Sequence, residues 1–210
     1  MSGLAPGEPS DAVLLRRHVQ GDAEAFAVLF TRHKNRLWAV ALRIACDPDD
    51  AADALQEAMI SAFRRAGDFR GDSAVTTWLH RIVVNASLDL LRRRSAQSVG
   101  WSGDPDDLPI PEPRQRVDST ASTDSRLDIE AAMRALPPTQ RAALVLVDML
   151  GYSVADAAAI LSVTEGTVKS RCARGRARLL PHLSHLRSDY PGERNQTVTD
   201  GVSSEQGGGA

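Results

Sequence analysis

Three groups of side chains in this 210-residue sequence have the types and spacing to engage charged partners. The first lies in TEGTVKSRCARGRARLL, residues 164 to 180. There Lys169, Arg171, Arg174, Arg176 and Arg178 face a single acid, Glu165, in a chain whose net charge is only -2. At 100° per residue, Val168, Cys172, Gly175 and Leu179 form one narrow apolar stripe. Lys169 and Arg176 flank it on one side, and Arg171, Arg174 and Arg178 on the other. Opposite the stripe stand Ser170, Ala173 and Ala177, all small. A helix with a small prow and long cations on both flanks can sink into a major groove while its sides reach phosphates. A solvated basic helix end that complements its own dipole would account for Arg176 and Arg178 but not for the small prow.

The second group belongs to SAVTTWLHRIVVNASLDLLRRR, residues 73 to 94. Leu79, Ile82, Val83, Ala86 and Leu90 are the expected core face. Trp78, Arg81, Asn85 and Arg92 fall within about 60° of one another on another side. An aromatic plate beside an amide and guanidinium groups suits unpaired nucleic acid, because bases stack on aromatics and arginines follow the phosphates. The alternative is a tryptophan that simply belongs to the core. The preceding loop, GDFRGDS, offers polar groups and two glycine hinges at the mouth of that surface, where a base drawn from the stack could be held.

A third group is acidic. In DPDDAADALQEAMISAFRR, Leu55, Ala58, Met59, Ala62 and Phe63 are the expected core face, while Asp49, Asp50, Asp53 and Glu57 share a stripe about 100° wide. Ile60 falls inside that stripe. Acids near a helix start are favourable in themselves and can be merely solvated. An apolar side chain ringed by acids also fits as an anchor for a basic partner surface.

The elements that must carry these groups are helices. Hydrophobic residues make up 42% of the chain and aromatic ones only 4%, which favours helices packed through Ala, Leu and Val. Ser10 or Asp11 can cap a short helix to Gln20, and Gly21-Asp22 separates it from a longer one reaching about Cys46. Asp47 caps a third helix, with Pro48 at its first position, ending near Ala66. Ser73 starts a fourth, ending near Arg94, and the four read as one bundle. Further on, Ser153 caps a short helix through Leu161, Ser162-Val163 makes a tight turn, and Thr164 caps the basic helix. That is a helix-turn-helix pattern.

Between the two helical blocks, residues 95 to 125 hold four Pro and two Gly with no apolar period, and read as a flexible linker. With two Arg and six acids the linker carries a net charge of -4. Residues 187 to 210 read as a disordered tail. The organisation expected is therefore 10-94, 95-125, 126-186 and 187-210. The longest aliphatic run, AALVLV, is far short of the roughly 20 residues that span a bilayer, so a soluble, cytoplasmic chain is expected. Cys46 and Cys172 lack paired spacing and read as buried small residues, and His182 and His185 lack further ligands, so no metal or cofactor is expected.

Taken in order, these segments resemble a known family. FRGDSAVTTWLHRIVVNASLDLLRRR is similar to regions 2.3 and 2.4 of the extracytoplasmic-function group of bacterial sigma-70 factors. DPDDAADALQEAMISAFRR is similar to their region 2.2, and ALPPTQRAALVLVDMLGYSVADAAAILSVTEGTVKSRCARGRARL to their region 4. The resemblance implies an all-α fold of two small helical domains, a region 2 four-helix bundle and a region 4 with a helix-turn-helix, joined by the acidic linker.

The resemblance also implies roles. Asp49, Asp50, Asp53, Gln56, Glu57 and Ile60 would bind core RNA polymerase, whose beta-prime and beta subunits are the implied partners. Phe69, Arg70, Asp72, Ser73, Thr77, Trp78, Arg81, Asn85, Asp89, Arg92 and Arg93 would bind and melt the promoter minus-ten element and hold a flipped base. Thr167, Lys169, Ser170, Arg171, Arg174 and Arg178 would read the minus-thirty-five element as duplex DNA. The linker would pass through the polymerase's RNA channels or act as a plain tether. A cognate anti-sigma factor, often membrane-anchored, would cover the polymerase-binding faces in a stress-controlled manner. His80 stands where family members commonly have Tyr, and Ala157 and Ala158 where the helix-turn-helix often has Glu-Ile.

Other classes fit less of the sequence. A conventional transcriptional regulator would not need the Trp-Asn-Arg stripe or the acidic helix. A nucleic-acid enzyme would need a carboxylate cluster for metal, a glycine-rich phosphate loop or a nucleophile with its base, and the motifs offer none, so no catalytic residue is expected. A purely structural protein would leave both basic surfaces without a purpose.

Overall fold

The computed structural model describes residues 8–99, 103, 109–110 and 124–183; the expected tail and most of the expected linker lie outside the described residues. Its order is α1 (Asp11–Val19), α2 (Ala23–Ala45), α3 (Pro48–Arg64), a 3-10 turn (Ala66–Asp68) and α4 (Val75–Val99). Then come α5 (Asp124–Arg134), α6 (Pro138–Leu144), a π-helical turn (Val145–Met149), α7 (Val154–Leu161) and α8 (Glu165–Leu183). Among the described residues there is no strand.

Helix starts follow their capping chemistry. The Ser10 hydroxyl accepts from the Val13 N–H, and Asp22 accepts from that of Ala25. Asp47, only 2% exposed, takes the N–H groups of both Asp49 and Asp50 at 3.0 Å with Pro48 behind it. Cys46 closes α2 in the left-handed region at φ 57°, so the chain reverses in two residues. Helix α4 departs from expectation at both ends: it begins at Val75 rather than Ser73 and continues five residues beyond Arg94.

Within α1–α4 the buried faces are turned from those read off the sequence. Helix α3 buries Ala51, Ala54, Ala58 and Ala62, all at 0% exposure, whereas Leu55 and Met59 sit at the margin and Phe63 is 49% exposed. Four alanines in line let α3 approach α2 and α4 closely, and the longer apolar side chains are pushed to the rim. Phe63 there packs its ring against His18 and Phe26. On α4 the buried residues are Val75, Leu79, His80, Val83, Val84, Ser87, Leu88, Leu91 and Ser95, with Ile82, Ala86 and Leu90 half-buried.

The second block packs on the first in a continuous apolar core that joins Ile44, Val84 and Leu91 to Leu136, Val145, Leu146 and Ile160. Helix α6, with every residue buried, lies between α8 on one side and α2 and α4 on the other, and α7 lies on α4. Gly175 is required for the α6–α8 approach: a Cβ there would stand 2.8 Å from Leu144 Cδ1.

Two charges expected on the surface are internal. Asp50 is 0% exposed and its Oδ2 accepts from Arg94, tying the start of α3 to α4, so it is withdrawn from the partner-facing acids. On the α3 circumference it stands about 40° from Ala54, at the edge of the buried alanine face, where the Arg94 side chain reaches it from α4. Substituting Asp50 by Ala should lower stability by about 1.5–3 kcal/mol, the usual worth of a buried charged hydrogen bond. Asp49→Ala, at an exposed position, should stay within about 0.5 kcal/mol. Urea unfolding of both variants separates the two cases.

Candidate nucleic-acid and polymerase interfaces

The loop between α3 and α4 and one side of α4 line an open cavity of about 500 Å3. That falls in the range of roughly 300–1,000 Å3 common for small-ligand pockets. Its lining brings together Phe69, Arg70, Asp72, Ser73, Trp78, Arg81, Asn85 and Asp89, eight of the eleven residues assigned from sequence to unpaired DNA. The Phe69 and Trp78 rings meet at 5.6 Å and 60°, so two half-buried aromatic planes form one wall. Gly71, at φ 82°, supplies the left-handed turn that brings Arg70 and Asp72 to the mouth.

The other three residues lie elsewhere. Thr77 turns to the second block, where its Oγ1 is 3.5 Å from the Tyr152 hydroxyl. Arg92 pairs with Asp89 at 2.9 Å on the rim, and Arg93 pairs with Glu57 at 2.5 Å. All four charged groups in these pairs are about half exposed. Sequence reading missed Ser61 and Arg65, which also line the cavity beside Asp68 of the loop. The i, i+4, i+8 series Glu57, Ser61, Arg65 was a visible signal, since it continues the acidic stripe towards the loop.

On α3, Asp49, Asp53, Gln56, Glu57 and Ile60 are exposed, and Ile60 is 45% accessible within this polar surface. An exposed isoleucine among acids is an anchor surrounded by charge, open to a partner that brings both apolar contact and cations.

The helix-turn-helix is built as its caps require. The Ser153 hydroxyl donates to Asp156 Oδ2 at 2.7 Å and accepts from the Asp156 N–H at 3.0 Å, a capping-box variant at the start of α7. Ser162 ends α7 in the left-handed region, and Thr164 Oγ1 receives the Thr167 N–H at 3.2 Å to open α8. Val168, Cys172 and Gly175 are buried, while Ser170, Ala173 and Ala177 are exposed along the opposite side. Exposed cations flank them: Lys169, Arg174, Arg176 and Arg178. Arg176 is held by Asp148 through two bonds of 2.6 and 3.0 Å, and Lys169 approaches Glu165 at 3.8 Å.

Arg171 is the exception. Although assigned to base edges, it is only 6% exposed, because it stands within about 60° of Val168 and Gly175 on the side that the other helices cover. Both cysteines are free thiols, and burial pushes each above its ordinary pKa, which removes thiolate character. Among the described residues no cluster of His, Cys, Asp or Glu could hold a metal ion, and no helix is long and apolar enough to cross a membrane.

Comparison with known proteins matches this geometry. Sigma-70 region 2 matches residues 29–97 and Sigma-70 region 4 matches residues 126–179. The chain is 50% identical over 179 residues to the ECF RNA polymerase sigma factor SigM of Mycobacterium tuberculosis, covering 85% of this chain and 87% of that one. It is 33% identical to the RNA polymerase sigma-H factor of Pseudomonas aeruginosa, covering 80% and 91%. Among solved structures, the sigma factor RpoE of Bartonella quintana in complex with the anti-sigma factor NepR aligns with a TM-score of 0.60 at 27% identity, covering 77% of this chain and 98% of that one. CnrH in complex with the cytosolic domain of CnrY aligns at 0.57 and 25%, covering 87% and 100%. The chain therefore belongs to the sigma-70 family, as an extracytoplasmic-function sigma factor, a transcription initiation factor and not an enzyme.

Proposed function

We propose that this sigma factor divides its work among three surfaces. The α3 face of Asp49, Asp53, Gln56, Glu57 and Ile60 docks on core RNA polymerase. The cavity walled by Phe69 and Trp78 takes an unstacked base of the minus-ten element as the strands part, and α8 enters the major groove of the minus-thirty-five element. The observation that carries this reading is the aromatic-walled cavity, because a protein that only bound duplex DNA would have no use for a polar pocket beside a stacking plate. Residues 10–94 and 126–186 are the two functional domains, with 95–125 as the segment connecting them.

Within the cavity, Asn85 and Asp72 can meet the hydrogen-bonding edge of a base, and Arg70 and Arg81 its phosphates. On α8 the exposed Lys169, Ser170 and Arg174 reach bases, with Arg178 on phosphate. Arg171 joins them only where the helix packing changes, and Arg176 only on releasing Asp148. The protein acts in the cytoplasm, where polymerase and promoters are. One of the aligned structures is a sigma factor in complex with an anti-sigma factor, and control of this chain by a protein of that kind fits its exposed α3 face.

Run-off transcription with purified core polymerase on promoter fragments tests the reading directly. Defined start sites should appear only when the protein is added; specific duplex binding by the protein alone, without start sites, would contradict it. Trp78→Ala should reduce open-complex formation by about 1–3 kcal/mol, or roughly 5- to 150-fold, the range for one stacked base, with holoenzyme assembly intact. Ile60→Asp should weaken core binding in a polymerase pull-down while circular dichroism stays unchanged. Assembly at the wild-type level would remove α3 from the interface. Arg174→Ala should cost about 1–3 kcal/mol for one promoter sequence over its point variants if the side chain reads a base, and equally across all of them if it rests on phosphate.

A further inference from the structure

The contact between the two blocks has features of a catch and not of a permanent core. At its centre His80 of α4, 1% exposed, sets Nδ1 2.7 Å from the Tyr152 hydroxyl in the loop before α7. Their rings meet edge-on at 5.8 Å, and Tyr152 also reaches Thr77 Oγ1 at 3.5 Å. The surrounding interface buries polar atoms without giving them hydrogen bonds: His80 Nε2, and Nε and Nη2 of Arg141, which lies near Cys46 at the end of α2 and whose Nη1 donates to the Met133 carbonyl. Each such atom would regain water if the blocks separated, so closure is favoured by apolar burial and opposed by its own polar groups.

We propose that the His80–Tyr152 contact is a proton-sensitive latch that holds the two promoter-reading blocks closed and releases them as pH falls. In the closed arrangement a proton on His80 would place a charge on a ring without solvent and make both ring nitrogens N–H donors, with nothing at Nε2 to receive one. The groups facing the ring add to this. Helix α2 contributes Arg36 and His33, the latter bonded to Asp11 of α1 at 2.7 Å; among the described residues of the second block the ring meets the Tyr152 hydroxyl, while Asp156 of α7 is engaged by Ser153. Burial first, then Arg36 and His33, lower the His80 pKa to about 4.

The sign follows from linkage. A lowered pKa in the closed state means that His80 supports closure fully above its ordinary value of about 6.5 and progressively less as pH falls from there towards about 4. Between pH 8 and 5.5 the open-to-closed ratio should rise about tenfold from this one group. For the proposed function, on which only this consequence rests, the closed form is inactive. Elements about 25 base pairs apart are about 85 Å apart along straight DNA at 3.4 Å per pair. Two blocks sharing one core fit a globule with a radius of gyration of about 15 Å.

The test is single-molecule energy transfer on the full chain, with Cys46 and Cys172 replaced by Ser and dyes attached at Glu24→Cys and Ala173→Cys, one in each block. A mainly closed population at pH 8 whose open fraction grows about tenfold in ratio by pH 5.5 is expected. The same protein with His80→Phe, which keeps a ring but cannot titrate, should change less than about twofold over that range. Tyr152→Phe should be more open already at pH 8. An open population at pH 8, no pH response, or the same response in the His80→Phe protein would each overturn the latch. Because no polymerase or DNA enters the measurement, its failure is separate from a failure of the transcription assay. Circular dichroism of the variants identifies loss of fold, and in that case protection of α7 amides from hydrogen exchange in the unsubstituted chain, corrected for intrinsic rates, decides between a tenfold pH-dependent loss and none.

Discussion

Helix α4 has to satisfy three different neighbours on one circumference, and the rest of the molecule is arranged around that constraint. Val83, Val84, Leu88 and Leu91 fill the bundle with α2 and α3. Thr77 and His80 meet Tyr152 of the second block, and Trp78, Arg81, Asn85 and Asp89 form the floor of the cavity. At 100° per residue these sets are interleaved along the same stretch of about four turns, so moving any one face by a fraction of a turn moves the others. The arrangement holds α4 at both ends of its functional stretch. The loop clasps it through Phe69 against Trp78, and Arg94 anchors its far part to Asp50.

The same constraint explains what the sequence made legible. Caps are local, and Ser10, Asp22, Asp47, Ser153 and Thr164 each act where their side-chain chemistry placed them. The helix-turn-helix was equally visible, since a short turn and a stripe of Val168, Cys172 and Gly175 are both short-range signals. Faces were harder. A helix packed on several sides has no single apolar stripe, so the core of α4 was read too far towards Ile82 and Leu90. On α3 size misled, because the alanines are buried while Phe63 is not. Burial of Asp50 depends on Arg94, 44 positions away, which no periodicity reports, whereas the place of Arg171 beside the Val168 and Gly175 stripe was visible and was outweighed by its charge. His80 was visible only as an unusual residue; its meaning required Tyr152, 72 positions away.

Closure of the two blocks is a balance rather than a lock. Leu136, Val145 and Leu146 bury apolar surface against the first block, and that term alone would hold the halves together. His80 and Arg141, each 1% exposed, stand against it, and desolvation drives the Arg141 pKa down. A sequence selected only for a stable closed globule would have apolar residues there. Polar side chains retained at such positions are those of a surface that spends part of its working life in water or against another partner, and an interface of this composition can be shifted by any ligand that prefers one state.

Surface charge follows a related logic. The exposed acids of α3 and cations of α8 could have neutralised each other, yet three of them pair within their own block: Glu57 with Arg93, Lys169 with Glu165, and Arg176 with Asp148. Pairs this exposed are worth about 0–1 kcal/mol and weaken with salt. A phosphate or a partner's cation can displace one member at little cost, so such pairs keep the side chains oriented without committing them. The Asp50–Arg94 bond differs, because its carboxylate has no water to return to while the fold persists. Burial, and not charge, thus separates the acids of α3 into one that holds the bundle together and several that remain available to a partner.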